Sequence, residues 1–161
     1  MKAPADELTI RRFCERDLDQ VFELVRETIE TSYAGVYQPA IIAFFHDYHQ
    51  RENIVSDAEG GHTVVVNSNG AFVGTGTRVE TDVRRVFVRP DRQGQGIGRL
   101  IMAELESAAL KANIDRLGLS ASLPAKDFYL RLGYEVVSEE DYEVAPGQHL
   151  EYYEMAKELR R

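Results

Sequence analysis

Gly94, Gly96 and Gly98 recur at every second position between a valine-rich run, Val83 to Val88, and an amphipathic stretch that opens at Ile97. Glycines so spaced between a strand and a helix let successive backbone N–H groups turn inward with no β-carbon in the way, at the positive end of the helix dipole. That arrangement suits an anionic pyrophosphate. A flexible strand-to-helix turn has the same composition, so the context has to decide. Two common nucleotide fingerprints fail here. The dinucleotide motif needs a glycine where Arg99 stands, and the phosphate loop of NTPases needs a Gly-Lys-Ser/Thr run that the segment lacks.

The elements that must position this loop follow from the patterning. Thr9 to Phe13 reads as an opening strand. Asp17 stands at an N-cap position with Gln20 three residues on, and Leu18, Val21, Phe22, Val25 and Ile29 recur at helical spacing. Pro39 opens a second helix through Ile42, Phe45 and Tyr48 to about Glu52. His62 to Val66, the turn Ser68-Asn69-Gly70 and Ala71 to Glu80 make a hairpin, and Val83 to Arg89 a further strand that stops at Pro90. The helix after the glycines carries Ile101, Leu105, Ala108 and Ala112 on one stripe. Leu117 to Ser122 returns as a strand, and Ala125 to Leu132 is a helix capped by Gly133. Tyr134 to Val137 and Leu150 to Met155 pair antiparallel across a connection from Glu139 to Gln148. The order βααβββαβαββ predicts one mixed α/β (α+β) domain over residues 1–161, core about 8–159, with a central sheet of six to seven strands flanked by helices.

Composition narrows the function classes. The 161 residues carry 19 Lys+Arg against 27 Asp+Glu, a net charge of −8, which disfavours nonspecific binding to nucleic acid or an anionic membrane surface. Apolar runs fall short of a membrane span. Met1 to Glu7 has no apolar segment of the secretory kind, so the expected location is cytoplasmic. The lone Cys14 forms no internal disulfide and reads as a small hydrophobe, and four scattered histidines offer no metal spacing. No metal is expected.

The segment Val88-Arg89-Pro90-Asp91-Arg92-Gln93-Gly94-Gln95-Gly96-Ile97-Gly98 resembles the acetyl-coenzyme-A signature of the GNAT superfamily of N-acetyltransferases, with Gln93, Gly96 and Gly98 matching its Gln/Arg-x-x-Gly-x-Gly/Ala core. Ala121-Ser122 followed by Ala125-x-x-Phe128-Tyr129-x-x-x-Gly133-Tyr134 is similar to the same family's second conserved segment, and Met155-Ala156-Lys157-Glu158-Leu159 to its ending. The resemblance covers residues 8 to 159. It implies the GNAT fold and transfer of an acetyl group from acetyl-coenzyme A to a primary amine in a ternary complex. The expected acceptor is a small molecule. A protein or peptide amine and a non-catalytic acyl-coenzyme-A sensor are the alternatives, and the oligomeric state, homodimer included, stays open.

By that resemblance, amides of Gly94, Gln95, Gly96, Ile97, Gly98 and Arg99 bind the pyrophosphate, with Arg92 and Gln93 beside them. The backbone of Val86, Phe87 and Val88 lines the pantetheine. Ser122 takes the place of a coenzyme-contacting asparagine found in many members. Tyr129 is the candidate acid for the departing thiolate, with an unperturbed pKa near ~10. Glu80 and Asp82 are candidate bases: strand alternation would send both carboxylates to one face, into one cleft, where like charges raise one pKa. The connection from Thr31 to Arg51 carries Tyr33, Tyr37, Phe44, Phe45, His46, Tyr48 and His49. Phe45 and Tyr48 read as helix core. Tyr33 and Tyr37, flanking a glycine, read as acceptor-pocket loop residues. His62, Tyr152 and Tyr153 are further candidates.

Overall fold

Alternating apolar strands and striped helices assemble, in a computed structural model that describes residues 7–160, around one seven-stranded sheet. Met1 to Asp6, read above for a leader, and Arg161 lie outside the described residues. The elements are β1 (Leu8–Arg12), α1 (Leu18–Tyr33), α2 (Pro39–Tyr48), α3 (Arg51–Gly60), β2 (His62–Ser68), β3 (Ala71–Val79), β4 (Asp82–Val88), α4 (Ile97–Lys111), β5 (Arg116–Ser122), α5 (Lys126–Arg131), β6 (Glu135–Ala145) and β7 (Gln148–Glu158). The strand order is β1-β2-β3-β4-β5-β7-β6. Every neighbouring pair is antiparallel except β4 and β5.

Each sheet face buries its own core. On one, the α4 stripe of Ile97, Ile101, Met102, Leu105 and Ala109 packs on Val64, Val66, Val73, Val83 and Leu119. On the other, Val21, Val25 and Ile29 of α1 and Ile54 of α3 pack on Val65, Phe72 and Phe87. Helix α4 lies close to the sheet because Gly76 has no side chain: a β-carbon there would stand 2.4 Å from Ile101 Cγ2.

Three expectations change. The helix expected from Pro39 to about Glu52 is two helices, because His49 (φ −110°, ψ 36°) and Gln50 (φ −71°, ψ 162°) leave the helical region between them. Helix α3 is therefore an element that the order βααβββαβαββ lacks. Only Ile54 of α3 is buried, too little to write a periodic signal. The connection expected over Glu139 to Gln148 is strand almost throughout: β6 reaches Ala145, which pairs with Gln148 around a two-residue turn, Pro146 and Gly147 (φ +72°). As the sheet edge, β6 is exposed along most of its length, so it shows no apolar alternation and carries charge instead. Asp17 precedes α1 as expected but makes no side-chain cap bond to that helix. Its buried carboxylate accepts from Arg11 (2.8 and 2.9 Å) and from the Cys14 amide (2.9 Å), and the Arg11 bonds hold its pKa down at about 2.

Candidate active site

Strands β4 and β5 start as neighbours and then part. Only Asp82↔Gly118 and Val83↔Leu119 are in register, after which β5 continues along β7 and β4 along β3. From Arg84 onward the β5-facing edge of β4 has no strand beside it, and its N–H and C=O groups are free to pair with an inserted extended molecule. The opening leads from the glycine loop at one end into a cavity of about 430 Å³ at the other.

A bulge shapes the wall of that cavity. Thr75 pairs with Phe87 but Thr77 with Arg84, so Arg85 and Val86 together oppose Gly76. Arg85 takes φ +58°, a left-handed conformation costly for a side chain of this kind. Its side chain, 2% exposed, is held on the α1 side: Nε donates to His49 Nδ1 at 3.0 Å and Nη1 pairs with Asp57 Oδ2 at 2.9 Å. Arg84 turns the same way and pairs with Asp57 (3.3 Å) and Asp82 (2.7 Å). Both arginines thus have carboxylate partners. His49 is buried, edge-on to Phe87 with ring centroids 5.1 Å apart, and burial followed by the neighbouring Arg85 charge lowers its pKa to about 3. A neutral ring that accepts at Nδ1 carries its proton on Nε2.

The rest of the wall is aromatic or small and polar. Tyr33 and Phe45 meet at 5.0 Å, and Phe44 of α2 reaches Tyr142 of β6 at 5.8 Å, so rings reach the space from both sides. Ser120 and Ser122 of β5 line the cavity, Ser120 at its exposed side, and burial raises the pKa of the Tyr33 hydroxyl. Tyr129 lines the cavity from α5, 8% exposed and edge-on to Phe128 and Tyr134. Burial pushes its phenol well above the ordinary tyrosine value, so the group stays protonated and hydrogen-bond donating.

At the far end, Gly94 (φ +78°) and Gly96 (φ +83°) adopt backbone conformations that side chains disfavour, and a β-carbon at either would meet nothing within 4 Å. Gly96 is the N-cap of α4, whose first amides have no partner within the helix. Gln93 Nε2 donates to the Val88 carbonyl (3.1 Å), Arg92 Nε to Gln95 (2.9 Å) and Arg92 Nη1 to Ser68 (3.2 Å), which ties the loop to the sheet. Gly98 lets Phe128 approach: an added β-carbon would stand 2.9 Å from its ring. Arg99 is exposed, and Ile97 is buried beneath the loop. Together these features form an anion cradle, an unpaired strand edge and a half-open cavity in line.

Several expected site residues lie elsewhere. Glu80 is in the β3–β4 turn at φ +52°, exposed and outside the cavity lining, so strand alternation does not govern its direction. Asp82 does not line the cavity either. It pairs with Arg84, and its raised pKa comes first from burial, with Asp57 as the like charge. The two carboxylates therefore do not share a cleft. Tyr33 is the last residue of α1, and Tyr37 stands behind it, edge-on at 5.4 Å, its hydroxyl accepting from the Leu123 amide at 3.3 Å. Sequence reading missed Arg85, Asp57, Ser120 and Tyr142. A usable signal existed for Ser120: Leu117, Leu119 and Ala121 are buried while the alternate Gly118, Ser120 and Ser122 are small.

Among the described residues no helix is long and apolar enough to cross a membrane, and no group of three or more His, Cys, Asp or Glu is placed to hold a metal ion.

Residues 28–159 match the family described as an acetyltransferase (GNAT) domain. The chain is similar in structure to a GCN5-related N-acetyltransferase from Rhodopseudomonas palustris, with a TM-score of 0.85 at 20% identity over 98% of this chain and 100% of that one. It is similar also to the PaiA N-acetyltransferase from Thermoplasma acidophilum in complex with coenzyme A, with a TM-score of 0.76 at 19% identity over 94% and 99% of the two chains. At such identity the likeness is one of fold. In sequence, it is 40% identical over 50 residues to the chloroplastic GCN5-related N-acetyltransferase 2 of Arabidopsis thaliana, a match that spans 31% of this chain and 19% of that protein.

Proposed function

The chain belongs to the GNAT family of acetyltransferases, and from that premise we propose that it transfers the acetyl group of acetyl-coenzyme A to the primary amine of a small molecule. The observation that carries the reading is the parting of β4 from β5 between the glycine loop and the cavity. The α4 N-terminus and the amides of Gly94 to Arg99 take the pyrophosphate. The pantetheine lies along the unpaired edge of Arg84 to Val88 as an added strand, which brings the thioester to the bulge.

A neutral amine attacks the thioester carbonyl carbon, a C–N bond forms and the carbonyl oxygen becomes an oxyanion. A backbone amide of the bulge stabilises it. As the C–S bond breaks, the Tyr129 hydroxyl donates a hydrogen bond to the thiolate, and the proton shed by the new amide nitrogen ends on sulfur. Arg84, Arg85 and Asp57 hold the bulge and take no proton. The rings of α2 and β6 shield one side of the thioester from water that would hydrolyse it. A small acceptor is favoured because those rings hold the cavity to about 430 Å³.

Thermal shift with coenzyme A and thiol release with an amine panel test the reading. Coenzyme A should raise the unfolding midpoint of the wild type. Gly96→Glu, which adds bulk and negative charge at the cradle, should abolish the shift and leave the fold intact. An unchanged shift in that variant places the coenzyme elsewhere, and no thiol release with any amine leaves a binding protein rather than an enzyme.

A further inference from the structure

We infer that the acceptor is a primary amine carried on a ring-sized apolar group, its ammonium received by Ser120 with Glu154 behind it; this rests on the acetyl-transfer reading above. Ser120 is the first β5 residue beyond the last β4 pair, Val83↔Leu119, and therefore sits where the two strands begin to open, beside the bulge. It faces the cavity, and on its other side it is opposite Glu154 of β7, to whose Oε1 its hydroxyl donates at 2.5 Å.

Charge makes Glu154 distinctive. Arg84 and Arg85 are matched by Asp82 and Asp57. Among the described residues no lysine or arginine pairs with Glu154, whose hydrogen-bond partner is the Ser120 hydroxyl. A cation entering the cavity supplies the missing charge. When the bound ammonium gives up its proton, Ser120 passes its hydroxyl proton to Glu154 and takes one from the nitrogen. The neutral amine is left facing the thioester, and every proton is accounted for.

Ring surface fixes the rest of the acceptor. Tyr48 and Tyr142 are 44% and 53% exposed at the cavity, with Phe44 between them at 6.4 and 5.8 Å. An apolar group covers that surface, and a long polar chain does not. The cavity's 430 Å³ lies within the span of small-molecule sites, roughly 300–1,000 Å³.

The test is steady-state thiol release with 2-phenylethylamine, spermidine and a short peptide with a free N-terminus, alongside thermal shift with coenzyme A. Phenylethylamine should be the preferred acceptor. Glu154→Gln keeps an acceptor for Ser120 but loses the charge, and should lower kcat/KM for phenylethylamine by roughly ten- to a hundredfold, the worth of a charge-assisted hydrogen bond. Glu154→Asp should recover part of the loss, Ser120→Ala should match Glu154→Gln, and Tyr142→Ala should raise KM with little change in kcat. None should alter the coenzyme A shift. Preference for spermidine or the peptide overturns the inference, as does a Glu154→Gln enzyme with wild-type kcat/KM. A coenzyme shift without phenylethylamine turnover refutes it while sparing the coenzyme site, whereas absence of the shift in the wild type refutes the acetyl-transfer reading itself.

Discussion

Replacing His49 by glutamine should make the protein less sensitive to mild acid. In the folded state His49 accepts from Arg85 and titrates at about 3, whereas a histidine in the unfolded chain titrates near 6.5. Between those values the unfolded chain binds a proton that the folded chain refuses, so stability falls as pH drops below 6.5 and the loss saturates only near 3. At pH 5 the difference is about 1.5 pH units, or about 2 kcal/mol of stability lost relative to neutral pH. Glutamine at this position still offers Arg85 an oxygen and binds no proton. The two proteins should therefore diverge, the wild type losing about 2 kcal/mol more than His49→Gln between pH 7 and pH 5. Urea unfolding at a series of pH values, with equal m-values in both proteins, measures it. Asp17 is common to both proteins and acts only below about 4, between its unfolded 3.8 and its folded value of about 2. Parallel stability curves would show that folded His49 takes up its proton as freely as an exposed histidine.

Gly76→Ala should destabilise the fold by about 1–3 kcal/mol in the same urea assay, since its β-carbon would overlap Ile101, while Gly60→Ala, with open space around it, should not. Tyr129→Phe should slow turnover by roughly tenfold to a thousandfold with no change in the coenzyme A shift. An unaltered rate, with chemistry limiting, would leave Tyr129 as a packing residue. Glu80→Gln and Asp82→Asn should keep kcat/KM within about twofold of wild type, because neither side chain lines the cavity, and a tenfold loss in either would return it to the proton path.

The glycine loop was legible because its chemistry is local. Gly94, Gly96 and the first amides of α4 are contiguous in the chain, and their conformations follow from residue type. The α4 stripe and the β2–β3 hairpin were legible for the same reason. Sites assembled across the sheet were not. No period in Asp82 to Val88 announces that Arg84 and Arg85 turn to one side, and nothing near Glu154 says that Ser120 lies opposite it. Alternation does not relate Glu80 to Asp82, because Glu80 stands in a turn, where the rule has no force. Helix α3 and strand β6 went unread because each buries too little to impress a pattern on its residues.

The bulge at Arg85 makes β4 a strand written in two phases. Ahead of it Val83 belongs to the α4 core, and after it Val86 and Val88 pack there while Phe87 belongs to the α1 core. The extra residue absorbs that change of phase. Because Arg84 and Arg85 both turn to the α1 side, a chain shortened by one of them would set Val86 opposite Gly76 and the remaining arginine opposite Thr77, with Val83, Val86 and Val88 still on the α4 core and Phe87 on the α1 core. Such a deletion would straighten the edge of β4 and remove one of the two arginines on Asp57, yet spare both cores. A residue lost between Val86 and Val88, where alternation is unbroken, would instead turn the valines away from α4. At the bulge, β4 tolerates a change in length that its regular stretch does not.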